Sequence, residues 1–203
     1  MIKTVRIFAH VAAMLPLTWL IFGIFTNQLG ADPQEKLLHE LGYWGMVFLL
    51  LSLSMTPARY VIPNIPWVKF RRMLGLYAAF HSLLHLLSYF IFILDFNLSE
   101  FINETVERPY IWFGMLAFIG LIPLVLTSTK AAQRRLKQRW KKLHQLVYFI
   151  IILVLIHFIW QSKSDLNEPL IYIIWAILLF IMRRIYDKSF LNFSFNFWRR
   201  RAE

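Results

Sequence analysis

Residues 73–94 read MLGLYAAFHSLLHLLSYFIFIL, a stretch without a single Asp, Glu, Lys or Arg and with two histidines, His81 and His85, one helical turn apart inside it. At about 1.5 Å per residue such a segment crosses the roughly 30 Å hydrocarbon core of a bilayer. Polar groups inside a span are costly, so the two imidazoles are functional suspects from the outset. Five further apolar stretches accompany it, at 7–27, 37–56, 109–126, 143–161 and 169–186. The second begins amphipathically. The last holds thirteen uninterrupted apolar residues, Leu170 to Met182, and spans if Arg183 and Arg184 snorkel to the interface. The first is too long for a cleaved signal peptide and carries His10, Pro16 and Trp19 with no small-residue cleavage site, so it reads as a permanent helix.

Composition agrees. Of 203 residues 59% are hydrophobic and 16% charged, which nearly excludes a soluble domain. There is no Cys, so disulfides, thiolate metal sites and thiol catalysis are excluded, and a bound metal must use His, Met, carboxylate or backbone. The net charge of +11 raises the question of nucleic acid, and its distribution answers it. Six spans place both termini and the 57–72 and 127–142 connections on one side, which then carries 19 of the 22 Lys and Arg. The other side holds Lys36, Arg108 and Lys163 but nine of the eleven acids, in the 28–36, 95–108 and 162–168 connections and their flanks. The positive-inside rule puts both termini in the cytoplasm, and the charge becomes a matter of topology and anionic lipid rather than nucleic acid. The sequence thus predicts an all-α integral membrane protein, a six-helix bundle forming one domain over residues 1–203. It shows no dinucleotide fingerprint, Walker motif or internal repeat.

Histidine depth carries the chemistry. His85 lies fourteen residues outward of Arg71, roughly 21 Å, and His157 lies thirteen outward of His144, about 20 Å. His85 and His157 therefore share a depth in the outer half, on the third and fifth spans. Two imidazoles so placed suit the two axial positions of a haem b held between those helices. His144 points to a second, inner haem. Its counterpart on the third span is Arg71, so either that haem has one histidine with an unusual or absent partner, or Arg71 neutralises propionates. Thirteen residues leave His144 and His157 about 140° apart on an ideal helix, so either the fifth helix is locally tightened or the two macrocycles approach it from different azimuths. His81, sharing a face with His85, is an alternate ligand or a supporting group. For His10, His39 and His81 the plainer reading is a hydrogen bond to a neighbouring helix.

RRMLGL at 71–76, LHLLSY at 84–89, LGADP at 29–33, RPY at 108–110, LTST at 126–129, W-x-x-L-H-x-x-x-Y from Trp140 to Tyr148 and H-x-x-W at 157–160 carry a resemblance. Over roughly residues 8–190 the chain resembles the haem-binding membrane subunits of bacterial periplasmic protein-methionine-sulfoxide reductase systems, the MsrQ (formerly YedZ) family of the ferric-reductase-like transmembrane group. The resemblance implies a multi-pass inner-membrane electron conduit. Electrons come from the quinone pool or a cytoplasmic flavin reductase and pass through one or two haems b to a periplasmic molybdopterin subunit. That partner reduces methionine sulfoxide in oxidised envelope proteins. The family's haem histidines fall on His85, His144 and His157, and Arg71 matches a basic position of its RR-x-LGL motif. His81 departs from the family pattern. FMN is also associated with the family.

Lacking its own nicotinamide or flavin domain, the chain reads as a redox subunit whose catalysis is completed on a partner. The competing classes are a small transporter or proton carrier using the histidines as relays, and a scaffold that anchors a partner. A carrier is expected to show internal pseudo-symmetry and broken helices. Neither competitor accounts for the matched histidine depths.

Overall fold

The structure is a computed structural model and describes residues 2–162 and 166–186. Lys163 and the basic residues beyond Tyr186, counted above in the charge topology, lie outside the described residues. Among the described residues the chain is helical with no strand: α1 Ile2–Phe25, α2 Pro33–Val61, α3 Val68–Ser88 continued by a π-helical turn Tyr89–Ile93, α4 Leu98–Glu107, α5 Tyr110–Leu126, α6 Lys130–Leu136, α7 Gln138–His144, α8 Leu146–Gln161 and α9 Asn167–Tyr186. Five helical segments are long and apolar enough to cross a membrane: α1, α2, α3 with its π turn, α7 with α8, and α9. A sixth arises only if α4 and α5, bent by 114° at Arg108–Pro109, count as one broken span. The chain is a multi-pass membrane protein.

Local chemistry explains where the helices start. Asp32 accepts the amide of Glu35 ahead of Pro33 at the first helical position, so α2 begins four residues before the expected 37. Asn97 caps α4 in the same way through Glu100. The segment 95–108, expected to be an open connection, is therefore mostly a helix. Leu98, Ile102 and Val106 form an exposed apolar stripe along it, while Thr105 turns inward.

Two antiparallel hairpins, α2 with α3 and α5 with α8, hold most of the core, with α9 against α2 and α8. Leu50, Ile150 and Ile151 are fully buried where they meet. Small residues bring α5 close to α8: a Cβ added at Gly120 would stand 3.0 Å from Ile150 Cγ1. α1 packs at the edge through Leu20 on Leu29 and Leu41, leaving Phe8, Phe22 and Phe25 exposed. Arg184 is exposed, as snorkelling requires, but Arg183 is not. Its guanidinium turns into the bundle and donates to the Tyr148 hydroxyl and, at 3.1 Å, to the Leu53 carbonyl.

Candidate functional site

α3 and α8 bring His85 and His157 face to face. The ring centroids are 6.2 Å apart and the ring planes cross at 83°. His85 Nδ1 lies 2.9 Å from the Leu38 carbonyl and His157 Nδ1 lies 2.8 Å from the Tyr110 carbonyl. A carbonyl only accepts, so each neutral imidazole carries its proton on Nδ1 and keeps its lone pair on Nε2. Neither Nε2 has a hydrogen-bond partner among the described residues. Metal–imidazole bonds of about 2 Å hold two ring centroids roughly 6 Å apart, which is the separation found. No cluster of three or more His, Asp or Glu capable of holding a metal exists among the described residues. The pair can therefore supply two axial nitrogens, with the remaining ligands coming from a macrocycle, and the donor set fits an iron porphyrin.

The two half-sites are copies of one another, which the sequence analysis did not find. His85 follows its carbonyl acceptor Leu38 by 47 residues, and His157 follows Tyr110 by 47. Each imidazole also lies over a glycine one helical turn past the acceptor: Gly42 for His85 and Gly114 for His157, both 43 residues earlier. Carbonyl, glycine and histidine all recur after 72 residues, and the two hairpins run in the same sense. No pattern of residue types betrays this repeat, because a carbonyl belongs to every residue and only Gly and His are kept. The one sequence signal was RPY, whose Tyr110 provides the second carbonyl and sets its own ring 5.6 Å from His157.

The inner region is built differently. His144 ends α7, and the Thr127 hydroxyl lies 3.1 Å from its Nε2. That hydroxyl also donates to the Pro123 carbonyl at 2.6 Å. With its one proton used, Thr127 accepts from His144, which therefore carries its proton on Nε2, the opposite tautomer to the outer pair. Trp140 stacks on the His144 ring at 4.0 Å and donates its Nε1–H to the Thr127 carbonyl. The Arg71 carbonyl accepts from Ser52. The helix is tightened at Gln145, whose amide is shared between the Lys141 and Lys142 carbonyls and whose carbonyl accepts from Tyr148. Each such step adds only about 20° of rotation, well short of the roughly 140° between His144 and His157.

The other histidines separate cleanly. His81 is fully buried beside Phe48, its Nδ1 on the Tyr77 carbonyl at 2.9 Å, and its Nε2 has no partner. His10 meets the Tyr77 hydroxyl at 3.0 Å, and His39 meets the Gln161 amide at 2.9 Å, tying α2 to α8 one turn beyond His157. Both keep the plainer role of helix-to-helix hydrogen bonding. Outward of the pair, Glu104 is held by Arg108 at 2.8 Å and by the Tyr89 hydroxyl at 3.3 Å.

Residues 41–155 match the family model described as "Ferric reductase like transmembrane component". The chain is 40% identical over 177 residues to the protein-methionine-sulfoxide reductase heme-binding subunit MsrQ of Xanthomonas oryzae pv. oryzae (strain MAFF 311018), covering 84% of this chain and 81% of that one. The same named subunit of Xanthomonas campestris pv. campestris (strain B100) is 39% identical over the same shares. His85, Arg71 and His144 fall within residues 41–155, whereas His157 lies two residues beyond them.

Proposed function

Because the chain belongs to the MsrQ family of the ferric-reductase-like transmembrane group, we propose that it is a haem b electron-transfer subunit of a bacterial inner membrane. It would take electrons from the quinone pool or a cytoplasmic flavin reductase and deliver them to a periplasmic molybdopterin methionine-sulfoxide reductase, in repair of oxidised periplasmic proteins. The observation that carries this reading is the facing pair His85 and His157, each with Nδ1 tied to a backbone carbonyl and Nε2 free. The tie to a carbonyl fixes the tautomer, holds the ring and raises the basicity of the remaining nitrogen, as the outer shell of a metal site does.

In this reading His85 and His157 are the axial ligands of the outer haem, both termini are cytoplasmic, and residues 1–203 are one domain. Bound there, haem supplies a one-electron carrier partway across a bilayer too thick for a single hop. His144 is the histidine of a second, inner haem. Arg71 serves that haem as propionate partner or unusual ligand, and His81 is held in reserve as an alternate ligand. FMN enters only by family resemblance.

The 72-residue repeat is the one observation that favours a histidine-dependent carrier, since parallel repeats occur in transporters. Its repeated groups converge on two facing imidazoles rather than on an aqueous path. The optical spectrum of the purified protein decides. A sharp Soret band that shifts on dithionite reduction, with one or two haems per chain, is the expected result. A colourless protein of intact fold would leave the carrier reading in possession.

A further inference from the structure

We infer that Gly42 and Gly114 are positioning residues that set the crossed planes of the two axial imidazoles. The inference rests on the haem reading above. In an α-helix the amide of residue i+4 is aimed at the carbonyl of residue i. Leu38 lies in the second turn of α2 and Tyr110 opens α5, so Gly42 and Gly114 share their carbonyls with the imidazoles, which take the second lone pair. A ring that reaches that lone pair must lie across the backbone just where the Cβ of residue i+4 would stand.

The distances bear this out twice. An added Cβ at Gly42 would be 2.9 Å from His85 Nδ1 and 3.0 Å from Cε1, and at Gly114 it would be 2.9 Å from His157 Nδ1 and 3.0 Å from Cε1. Neither ring can yield freely. Sliding away along the helix stretches the Nδ1–carbonyl bond, and the remaining motion is a turn about the bond to the ring. The 83° crossing is therefore imposed by two glycines acting independently, one on each half of the repeat. In a ferric low-spin haem the angle between axial imidazole planes governs the splitting of the iron d orbitals. Crossed planes give a strongly anisotropic electron paramagnetic resonance signal with one large g value, and parallel planes give a rhombic one.

Gly→Ala in a helix interior is intrinsically favourable for the helix, so damage at these sites arises at the imidazole. The test uses the full chain purified from membranes, with G42A, G114A and, as control, G120A. Gly120 is as crowded, by Ile150, but touches no imidazole. The wild type is expected to give the large-g signal. G42A and G114A are expected to lose it, either moving to a rhombic signal with haem retained or losing haem outright, while G120A keeps signal and haem. A second measurement covers poor expression of the single variants. In an H85G background without added imidazole, G42A should add no further loss of haem, because its effect acts through the missing ring.

Haem-loaded G42A and G114A with the wild-type signal overturn the inference and leave the haem reading standing. So does equal damage in all three glycine variants, or an undiminished G42A loss in the H85G background. A wild-type protein without haem overturns the reading itself.

Discussion

The outer site and the inner one both rest on histidine and present opposite nitrogens. At His85 and His157 a backbone carbonyl takes the Nδ1 proton and Nε2 is bare. At His144 the Thr127 hydroxyl takes the Nε2 proton, and Trp140 covers the ring. A carbonyl fixed in a helix commits an imidazole permanently, whereas a hydroxyl can rotate and exchange its roles as donor and acceptor. The His85 and His157 Nε2 atoms are thus open, whereas an inner haem, as proposed, would reach His144 Nε2 only after Thr127 lets go.

The largest expected effect follows directly. His85→Ala or His157→Ala should abolish the low-spin spectrum of the outer haem or convert it to a five-coordinate one, read by optical spectroscopy and haem-to-protein ratio. Two single variants with wild-type spectrum and haem content would break the comparison at its first term.

Next come His144→Ala and Arg71→Ala. Each should leave the outer haem bound but slow its reduction from the cytoplasmic side by an order of magnitude or more, in line with the roughly 10–100-fold cost of losing a group that supports a metal site. If His144→Ala removes only the outer haem, the depths are inverted. Thr127→Val sharpens the contrast: with the hydroxyl gone, Nε2 is released, and haem content at the inner site should rise or hold. A fall would mean that the hydroxyl supports the ligand instead of restraining it.

How much of this was legible in the sequence follows the same division. Span positions, the histidine depths and the outer pair came from apolar length and a constant helical rise, quantities that side-chain identity carries well. The carbonyl acceptors Leu38 and Tyr110 did not, because the groups that matter there are backbone. Gly42 and Gly114 were ordinary glycines until a ring was seen lying over them. α4 was within reach: Asn97 followed by Glu100 is a capping pattern, and Leu98, Ile102 and Val106 recur at helical spacing. Counting charges alone gives a connection there, because it weighs the acids and passes over the periodicity.

A smaller effect is expected at His81, whose buried Nε2 lacks a partner. Replacing it with Leu removes an unsatisfied polar atom, so thermal stability should change little or rise by ~1 kcal/mol. The outer haem spectrum should be disturbed far less than by His85→Ala. The reverse ordering would identify His81 as the true ligand and would place the pair one turn further in.

The smallest effect lies on the outer rim. In the proposed function electrons leaving the outer site exit toward the periplasm, the side on which the proposed topology puts α4 with Glu100, Glu104 and Glu107. These acids do not act alike. Glu104 is spent on Arg108 and Tyr89, with its side chain only 16% exposed, so its charge is locally neutralised. Glu100 and Glu107 stand exposed and are the ones able to steer a partner bearing a basic patch. Glu100→Gln with Glu107→Gln should slow association with the periplasmic subunit by several-fold at low ionic strength, and the deficit should shrink as salt approaches physiological strength, where the Debye length is about 8 Å. Dithionite-reducible haem should be unchanged. Adding Glu104→Gln should cost little further steering but some stability, because it strands Arg108. If transfer at low salt is unaltered in the double variant, the acids merely reflect the exclusion of Lys and Arg from outer segments, and the docking face passes to the 28–36 connection beside His39 and Gln161.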